Sequence, residues 1–342
     1  MTWWQFLLFP LAMLFDLVTR LRNQLYDKAL IKPFQFETNV IGIGNLSVGG
    51  TGKSPMVAYL IELLSDSGYE VSTLSRGYKR TTKGFRIASE KEDAKSLGDE
   101  PYMFYRRYGK KTHVAVGEER ILAIPELLLH FPQTEVVLLD DIFQHRTVKP
   151  SLNILLTTYQ QPFYEDFLLP SGRLRESRRG AERADIIIVT KCPGHLSDAE
   201  QRRIKDKVSQ YADAQVFFTE ILYGKPTPFF GKKEVPDDQV VAISGIANGR
   251  LFHKEVEARY SVKISHQYGD HHQYTALDVK GIIAELNSKN SLITTEKDAV
   301  KLLSFNELKS YSCFYIPIEV KFLKDESLFK SIIENSIKDY QQ

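Results

Sequence analysis

A glycine-rich segment that ends in lysine and serine constrains the fold more than any other part of the chain. It follows an apolar run at residues 40–43 and precedes a stretch with helical apolar spacing, so it connects a predicted strand to a predicted helix. Glycines at such a turn let backbone N–H groups converge on phosphate oxygens at the positive end of the helix. We therefore predict a nucleotide-phosphate site formed by Ser47, Val48, Gly49, Gly50, Thr51, Gly52, Lys53 and Ser54.

Two side chains of this loop have expected roles. Lys53 should reach the β- and γ-phosphates of the nucleotide, and Ser54 should bind Mg²⁺. Pro55 suits the first helical turn, where its missing N–H has no intrahelical partner. The loop departs from the usual pattern at Ser47, where glycine is typical. The alternative interpretation is a glycine-rich turn that binds no ligand.

Composition bounds the class of protein. The chain has 342 residues, enough for two domains, and its 43% hydrophobic and 26% charged residues are ordinary for a soluble globular protein. The net charge of +2 gives no field that favours nucleic acid, so no nucleic-acid partner is predicted. Cys192 and Cys313 are the only cysteines, which excludes a disulfide framework and a cysteine-rich zinc site. A reducing compartment is expected.

The first fifteen residues carry no charge and are rich in large apolar side chains, including Trp3 and Trp4. A spanning helix needs about 20 apolar residues, and this run is interrupted by Pro10 and closed by Asp16. It also lacks the basic start and cleavage site of a secretory signal. We predict a helix that lies in the headgroup region of a membrane, and the alternative is a helix buried against the protein core. Cations that would face anionic lipid follow at Arg20, Arg22, Lys28 and Lys32.

Apolar strand patterns alternate with helical patterns from residue 40 onward, which predicts a mostly parallel α/β sheet with helices on both faces. A proline- and glycine-rich linker is expected at 223–228, followed by a smaller C-terminal α/β lobe. The expected division is a membrane-associating helix at 1–28, a phosphate-loop core at 29–224 and the smaller lobe at 225–342. Predicted strands are 40–44, 71–75, 113–116, 136–140, 152–157, 185–190, 215–220, 240–244, 262–268, 291–295 and 313–320; predicted helices are 53–65, 101–108, 118–130, 197–211 and 277–286.

Two acidic segments are candidates for chemistry. The apolar strand at 136–140 ends in Asp140 and Asp141, and enzymes with phosphate loops present an aspartate to Mg²⁺ at the tip of the neighbouring strand. The alternative is that Asp140 only caps a helix. Asp99 and Glu100 follow Gly98 just before another predicted helix, and from the residues alone an ordinary N-terminal cap is the favoured interpretation of Asp99.

Two further clusters have competing interpretations. Asp270, His271 and His272 follow a predicted strand; a metal site would lack further ligands, so a histidine that partners a carboxylate base is the better functional interpretation. Five arginines lie within residues 173–183. Such a run usually forms a solvated face, but guanidinium groups after a proline-glycine turn also suit phosphate oxygens. The arginines are Arg173, Arg175, Arg178, Arg179 and Arg183.

Taken together and in this order, the motifs resemble those of the tetraacyldisaccharide 4′-kinase family over nearly the whole chain. The loop with Ser47 in place of glycine is also similar to the loop of that family. The chain departs from the family at Ile142, where the family usually has glycine. This departure affects the expected shape of the turn after the two aspartates, and with it the placement of Phe143 and Gln144. The shared segments are the aromatic N-terminal helix, GNLSVGGTGKSP (44–55), SRGY (75–78), GDEP (98–101), DDIFQHR (140–146), LRE (174–176), DHH (270–272) and TTEKD (294–298).

The resemblance implies a two-lobed kinase with its active site in the cleft between the lobes. It implies transfer of the γ-phosphate of ATP, with Mg²⁺, to the 4′-hydroxyl of a tetraacyldisaccharide 1-phosphate in lipid A biosynthesis, at the cytoplasmic face of the bacterial inner membrane. No obligate protein partner is expected. Asp99 becomes the base and His271 its partner, which reverses the capping interpretation. The resemblance further implies catalytic roles for Lys53, Asp140, Asp141, Arg120 and Arg175, metal binding by Ser54, Asp141 and Glu176, and substrate contacts from Tyr78, Glu100, Gln144 and His145.

Two other classes of protein remain as alternatives. A strand at 185–190 followed by Lys191 is similar to a guanine-reading motif, which would make the chain a GTPase or a nucleotide-driven accessory protein. The motif needs an aspartate two residues after the lysine, and Pro193 stands there instead. A membrane-tethered module that binds nucleotide without catalysis would leave Asp99 and His271 without a role.

Overall fold

Strands and helices alternate along the chain in a computed structural model, which describes residues 3–340 and, of these, the side chains of residues 8–338 and 340. The side chains of Trp3 and Trp4 therefore lie outside the described part. The helices are α1 (Trp3–Asp27), α2 (Lys53–Asp66), α3 (Ala94–Leu97), α4 (Asp99–Tyr108), α5 (Arg120–His130), α6 (Asp198–Val208), α7 (Gly249–Arg259), α8 (Ala276–Glu285), α9 (Glu296–Leu302) and α10 (Glu326–Tyr340). The strands are β1 (Asn39–Asn45), β2 (Val71–Ser75), β3 (Arg86–Ile87), β4 (Thr112–Val116), β5 (Val136–Asp140), β6 (Leu152–Thr158), β7 (Ile186–Thr190), β8 (Gln215–Tyr223), β9 (Thr227–Phe230), β10 (Gln239–Ser244), β11 (Ser261–Gln267), β12 (Ser291–Thr295), β13 (Cys313–Ile316) and β14 (Ile318–Phe322).

Two sheets organise these elements and confirm the predicted α/β class. The larger lobe is built on a nine-stranded sheet in the order β14-β8-β7-β6-β1-β5-β2-β4-β3, parallel except for β3 and β14 at its edges. The smaller lobe is built on a five-stranded sheet in the order β11-β10-β12-β13-β9, in which β9 runs antiparallel to β13. Buried parallel strands require apolar residues on both faces, and β5 and β7 are buried along their whole length.

The register of the central strands brings the sequence motifs together. Strand β1 lies between β5 and β6, and Ile43 of β1 is opposite Asp140 of β5. The phosphate loop therefore begins beside the aspartate that ends β5, as the sequence predicts. In parallel sheets of this kind, ligands bind at the carboxyl ends of the strands.

The segment after residue 312 differs from the expected single strand. Pro317 separates β13 from β14, and the two strands belong to different sheets. A proline has no N–H for a strand ladder, so it favours the break. The predicted linker at 223–228 is also partly strand, since it includes the end of β8 and the start of β9, and the N–H of Gly224 donates to the carbonyl of Pro317. Two chain segments, not one, therefore connect the lobes.

The C-terminal residues return to the larger lobe, although the sequence places the whole of 225–342 in the smaller one. Strand β14 pairs with β8, and helix α10 buries Phe329, Ile333 and Ile337 in the core that also contains Ile41 and Leu60. Apolar burial drives this docking at roughly 25 cal/mol per Å² of apolar surface removed from water.

Helix α1 is attached at one end and exposed along much of its length. Asn23 donates to Glu176, and Arg146 pairs with Asp27 at 2.8 Å, which fixes the second half of the helix to the larger lobe. No helix among residues 3–340 is both long and apolar enough to cross a membrane. The exposed large side chains of the helix are Phe9, Leu11, Met13, Leu14, Leu17, Val18 and Leu21.

Candidate active site

A cleft of about 1070 Å³ lies between the two lobes, at the carboxyl ends of the central strands. The phosphate loop and the turns after β2 and β5 line it from the larger lobe, and the segments 246–248, 270–271 and 295–297 line it from the smaller one. Clefts between lobes are common sites for ligands, and this volume exceeds the usual range for a single small molecule, about 300–1,000 Å³. A nucleotide and part of a second substrate can therefore occupy it together.

The phosphate loop has the backbone that its sequence predicts. Gly49 and Gly52 adopt φ angles of 103° and 92°, which residues with side chains rarely adopt, and Gly52 caps the start of α2. In the described part of the chain, no backbone hydrogen bond uses the amides of Gly50, Lys53 or Ser54. These amides lie at the positive end of α2, so the loop is a cradle for an anion.

Strand β7 braces the loop from the side. The hydroxyl of Thr190 donates to the carbonyl of Thr51 at 2.7 Å, and Lys191 Nζ donates to the carbonyl of Gly50 at 2.6 Å. Lys191 has a left-handed backbone with φ of 57°, and burial lowers the pKa of its ammonium. The pair Thr190 and Lys191, which suggested a guanine-reading motif in the sequence, thus supports the phosphate loop.

The carboxylate of Asp141 forms ion pairs with two cationic side chains. Its carboxylate accepts two hydrogen bonds from Arg175, at 2.9 and 2.8 Å, and lies 3.5 Å from Lys53 Nζ. Burial would raise the pKa of Asp141, but the charges of Lys53 and Arg175 hold it well below its usual range. The residue has a φ of 54°, which turns its side chain back toward the loop. Asn45 joins the same network, since its side chain contacts Lys53, Arg175 and, at 2.7 Å, the hydroxyl of Thr51.

Asp140 has the opposite environment. It is 5% exposed, and its Oδ1 atom has no hydrogen-bond partner among the described residues. Burial and the negative charge of Glu100 raise the pKa of Asp140 to about 7. A buried, unpartnered carboxylate next to another acid is unfavourable without a cation. Asp140 is therefore the better candidate for a metal ligand of the two aspartates.

Ser54 and Glu100 connect the phosphate loop to helix α4. The Ser54 hydroxyl donates to Glu100 Oε1 at 2.5 Å, and Lys297 of α9 donates to the same oxygen at 3.2 Å. Burial would raise the pKa of Glu100, but Lys297 lowers it. Glu100 is thus an ionised link between the phosphate loop and the smaller lobe.

The structure brings Asp99 and His271 together across the cleft. His271 Nδ1 lies 3.0 Å from Asp99 Oδ2, and Asp99 is 4% exposed. Burial would raise the pKa of Asp99, but the hydrogen bond from His271 and the charge of Lys297 lower it to about 2. The edge of the Tyr78 ring packs on the His271 ring at a centroid distance of 4.9 Å. Asp99 therefore remains ionised near neutral pH while it is almost excluded from solvent.

The turn after β5 and the start of α5 add polar groups to the same wall of the cleft. The Arg120 side chain is fully buried and donates to the carbonyls of Gly117 and Asp140, and burial lowers its pKa to about 10. Burial and the charge of Arg120 lower the pKa of His145 to about 4, so His145 is neutral. Gln144 donates to the carbonyl of Asn45 at 3.0 Å. Ile142 is buried and does not have a positive φ, so this turn does not require glycine there.

Glu176 does not lie where a metal ligand is needed. It is fully buried and does not line the cleft. Its carboxylate accepts hydrogen bonds from Asn23, Gln144 and Arg183 at 2.9, 2.9 and 2.8 Å. The geometry argues against the expectation that it binds Mg²⁺, because these three donors occupy its oxygens.

Most of the arginine run is also used within the larger lobe. Arg173 pairs with Asp166, Arg178 donates to the Asp166 carbonyl, and Arg183 pairs with Glu176. Arg175 is the member of the run that lines the cleft. The anion-binding interpretation therefore remains for Arg175, whereas Arg173, Arg178 and Arg183 make contacts within the larger lobe and do not form the solvated face that such a run usually forms.

The structure places three further residues at this site; the sequence motifs assign no role to Asn45 and Lys297 and connect Lys191 only with the guanine-reading alternative. Asn45 bridges the loop lysine and Arg175, Lys191 braces the loop, and Lys297 contacts both acids of α4. Asn45 lies within the GNLS segment, Lys297 lies within the TTEKD segment, and Lys191 directly follows β7. These positions were the signals in the sequence that could have pointed to the three residues. Residues 3–340 contain no group of three or more histidine, cysteine, aspartate or glutamate side chains arranged to hold a metal ion.

Comparisons with known proteins show to which family this chain belongs. The sequence profile of the family described as tetraacyldisaccharide-1-P 4′-kinase matches residues 4–338. A tetraacyldisaccharide 4′-kinase of Flavobacterium johnsoniae is 41% identical over 338 residues, which cover 97% of this chain and 97% of the relative. Another, of Flavobacterium psychrophilum, is 42% identical over 337 residues and covers 97% of this chain and 96% of its own.

A solved structure has the same fold. The crystal structure of LpxK from Aquifex aeolicus in complex with ATP is similar with a TM-score of 0.77 and 30% sequence identity. The similarity covers 97% of this chain and 99% of that one, so both lobes are shared. Sequence profile, relatives and fold agree, and the chain belongs to the tetraacyldisaccharide-1-P 4′-kinase family.

Proposed function

We propose that this protein catalyses the reaction for which its family is named, the transfer of the γ-phosphoryl group of ATP to the 4′-hydroxyl of a tetraacyldisaccharide 1-phosphate in lipid A biosynthesis. One observation carries the proposal beyond family membership. The buried, ionised Asp99 is held by His271 in the same cleft as the phosphate loop and Lys53. A base and a phosphate cradle that face one cleft are what transfer to a hydroxyl requires.

The loop and its neighbours would hold the triphosphate. The free amides of the loop offer hydrogen bonds, and Lys53 supplies charge next to them. Lys53 is held by Asp141 and Asn45, so it is oriented before the nucleotide arrives. Lys191 keeps the Gly50 carbonyl turned away from the phosphates. Preorganised donors of this kind stabilise charge that develops on the transferred group.

The donor set also suits Mg²⁺, with Asp140 and Ser54 as the residues that would hold it. Mg²⁺ bound with a nucleotide typically takes one or two protein oxygens and completes its shell with phosphate oxygens and water. The unpartnered Oδ1 of Asp140 is the observation that supports this set. The ion would neutralise charge on the phosphates. We propose Asp140 in place of Asp141, because Arg175 and Lys53 already occupy the Asp141 carboxylate.

Asp99 would accept the proton of the 4′-hydroxyl. Its Oδ2 atom is engaged by His271 and its Oδ1 atom accepts the N–H of Glu100, so its orientation is fixed from both lobes. A positioned base typically contributes about 10²–10⁴-fold to the rate. Tyr78, Arg120, Gln144 and His145 lie along the same wall of the cleft and would contact the disaccharide, while Arg175 would stabilise charge on the transferred phosphoryl group.

Helix α1 would place the active site at the membrane that contains the acylated substrate. Its exposed side chains at positions 11, 14, 18 and 21 form one helical stripe of large apolar groups. An exposed apolar stripe on a helix that is docked at its other end favours the interfacial position over burial in the protein core. The helix would lie on the cytoplasmic face of the inner membrane without crossing it.

A phosphate-transfer assay tests the proposal against the two alternatives. The assay measures transfer of labelled γ-phosphate from ATP or GTP to a tetraacyldisaccharide 1-phosphate in mixed micelles, with Lys53→Ala as control. Transfer that requires the glycolipid and is lost in the control supports the kinase. A folded, ATP-binding preparation that hydrolyses GTP and does not transfer phosphate supports the GTPase alternative. Nucleotide binding without either reaction supports the non-catalytic module.

A further inference from the structure

Lys297 lies at the point where the smaller lobe meets the acids of helix α4. Its Nζ atom is 3.3 Å from His271 Nε2, 3.2 Å from Glu100 Oε1 and 3.7 Å from Asp99 Oδ2. The side chain is 16% exposed, so these contacts form largely out of bulk water. Three groups of the site thus converge on one ammonium.

We propose that Lys297 is a positioning residue of the kinase, which fixes the tautomer of His271 and keeps Asp99 ionised for proton transfer. The proposal rests on the proposed role of Asp99 and deepens it. It assigns to the smaller lobe a cation that acts on the base through direct contact, beyond the contact that His271 makes.

The hydrogen bond between Lys297 and His271 has a fixed direction. An ammonium can only donate, so a contact with His271 Nε2 makes that nitrogen the acceptor. The neutral imidazole then carries its proton on Nδ1, which donates to Asp99 Oδ2. This assignment follows from the hydrogen-bond network. Lys297 therefore selects the one neutral tautomer in which His271 supports the base.

Lys297 supplies positive charge next to Asp99. Asp99 is faced by His271 from the loop after β11, by Lys297 and Lys301 from α9, and by Glu100 from its own helix, while Asp270 of the same loop acts on Lys297 and lies 3.9 Å from His271 Nε2. Lys301 pairs with Asp298 at 2.6 Å, so Lys297 is the cation of α9 that is in direct contact with Asp99. Burial would lower the pKa of Lys297, but Glu100 and Asp99 raise it above its usual range, so it stays charged.

Glu100 links Lys297 to the phosphate loop. Glu100 accepts hydrogen bonds from both Lys297 and Ser54. A displacement of Lys297 therefore disturbs the base and the loop serine together. An ion pair whose only role was to join the lobes would not need to contact both Asp99 and Glu100. The neighbouring residue Glu296 provides such a pair, with Arg107 at 3.1 Å.

Steady-state kinetics of variants, from about pH 9 down to the lowest pH at which each variant stays folded, test the proposal, because the pKa of Asp99 is about 2 and its acid limb lies at low pH. Lys297→Met removes the charge, Lys297→Arg restores it, Glu296→Gln removes the adjacent ion pair between the lobes, and Lys280→Met changes an exposed lysine of the same lobe. We expect Lys297→Met to lower kcat about 10-fold or more with a smaller change in the KM for ATP. The acid limb of the pH profile of kcat/KM for Lys297→Met should move to higher pH, because the ionised Asp99 loses a favourable charge. Lys297→Arg should return the acid limb toward that of the wild type.

The controls separate this role from a purely structural one. Glu296→Gln and Lys280→Met should leave the acid limb in place. An acid limb that does not move in Lys297→Met, or that moves equally in Glu296→Gln, overturns the proposal. Retained turnover in Asp99→Asn would instead overturn the proposed role of Asp99 as the base, on which this proposal rests, whereas absence of transfer by the wild-type protein would overturn the proposed function.

A measurement on the wild-type protein keeps the proposal testable if the variants do not fold. Nitrogen-15 spectra of the histidine rings, assigned by comparison with His271→Gln, report the tautomer of His271 at neutral pH. We expect the proton on Nδ1. A proton on Nε2 would overturn the proposal, because an ammonium cannot donate to a protonated nitrogen.

Discussion

The Nδ1 atom of His271 lies 3.0 Å from Asp99 Oδ2, although 172 positions separate the two residues in the chain. Asp99 starts helix α4 of the larger lobe, whereas His271 has a left-handed backbone in the loop after β11 of the smaller lobe. The contact forms only when the lobes approach each other. The environment of Asp99, the proposed base, therefore depends on how the two lobes pack.

Replacing His271 should expose its effect on the base. In His271→Gln the pKa of Asp99 should rise, because the hydrogen bond from His271 that lowers it is removed. The base must be ionised to act, so the acid limb of kcat/KM should move to higher pH and kcat should fall. His272→Gln is the matched control, since the neighbouring histidine pairs with Asp278 at 3.1 Å. An unchanged acid limb in His271→Gln would separate His271 from the base.

Asp140 should make the protein less stable at alkaline pH when nucleotide and metal are absent. Its folded-state pKa of about 7 lies above that of an unfolded aspartate, so the folded state loses stability as the pH rises toward and through about 7. Asp140→Asn should therefore increase the free energy of unfolding near pH 8 by about 4 kcal/mol, since the shift of about 3 pKa units corresponds to about 1.4 kcal/mol per unit. Denaturant unfolding at several pH values measures this gain, which should shrink as the pH falls toward about 4. A gain that does not depend on pH would contradict the assigned environment.

The same residue should control the dependence on magnesium. Asp140→Asn should raise the Mg²⁺ concentration needed for half-maximal activity by about 10-fold or more, since the carboxylate proposed to bind the ion is replaced by a neutral amide. Glu176→Gln is the informative comparison, because its carboxylate is held by Asn23, Gln144 and Arg183. That variant should lose stability and keep the magnesium dependence of the wild type. If Glu176→Gln raised the Mg²⁺ requirement and Asp140→Asn did not, Glu176 and not Asp140 would be the metal ligand.

The exposed stripe of helix α1 should bind lipid. Leu14→Ser combined with Leu21→Ser removes two exposed leucines, and binding to vesicles should weaken because about 1.5–3 kcal/mol is at stake for each large apolar side chain that is fully buried. Leu277→Ser, at an 80% exposed position on α8, is the control and should bind as the wild type does. High salt should release the protein only partly, since apolar burial is not screened. Sedimentation with vesicles measures both, and equal binding of all variants would argue for a helix without a membrane role.

The parts of the site that follow from local sequence could be predicted. The loop at 47–54 and the aspartate at the tip of β5 are set by glycine geometry and by the end of an apolar strand, and neighbouring strands in one sheet brought them together. Lys297 could not be given a role in this way. Its contacts with Asp99 and Glu100 depend on the packing of the two lobes, which no short-range pattern encodes.

The placement of Glu176 and the division of residues 313–320 both depend on tertiary contacts. Glu176 sits next to the cleft-lining Arg175 in sequence but points into the protein, where Asn23 of α1 and Arg183 satisfy it. Residues 313–320 look like one strand because both halves are apolar and β-branched. Pro317 and the pairing of β14 with β8 divide them between two sheets, and that division depends on tertiary contacts.

The most direct test of the account is the rate of a single turnover in Asp99→Asn, measured with saturating ATP and tetraacyldisaccharide 1-phosphate, alongside the Kd for ATP. The substitution keeps the shape of the side chain and removes its ability to accept the proton. We predict a rate reduced by about 10²–10⁴-fold with the Kd for ATP nearly unchanged. A rate close to that of the wild type would contradict the account.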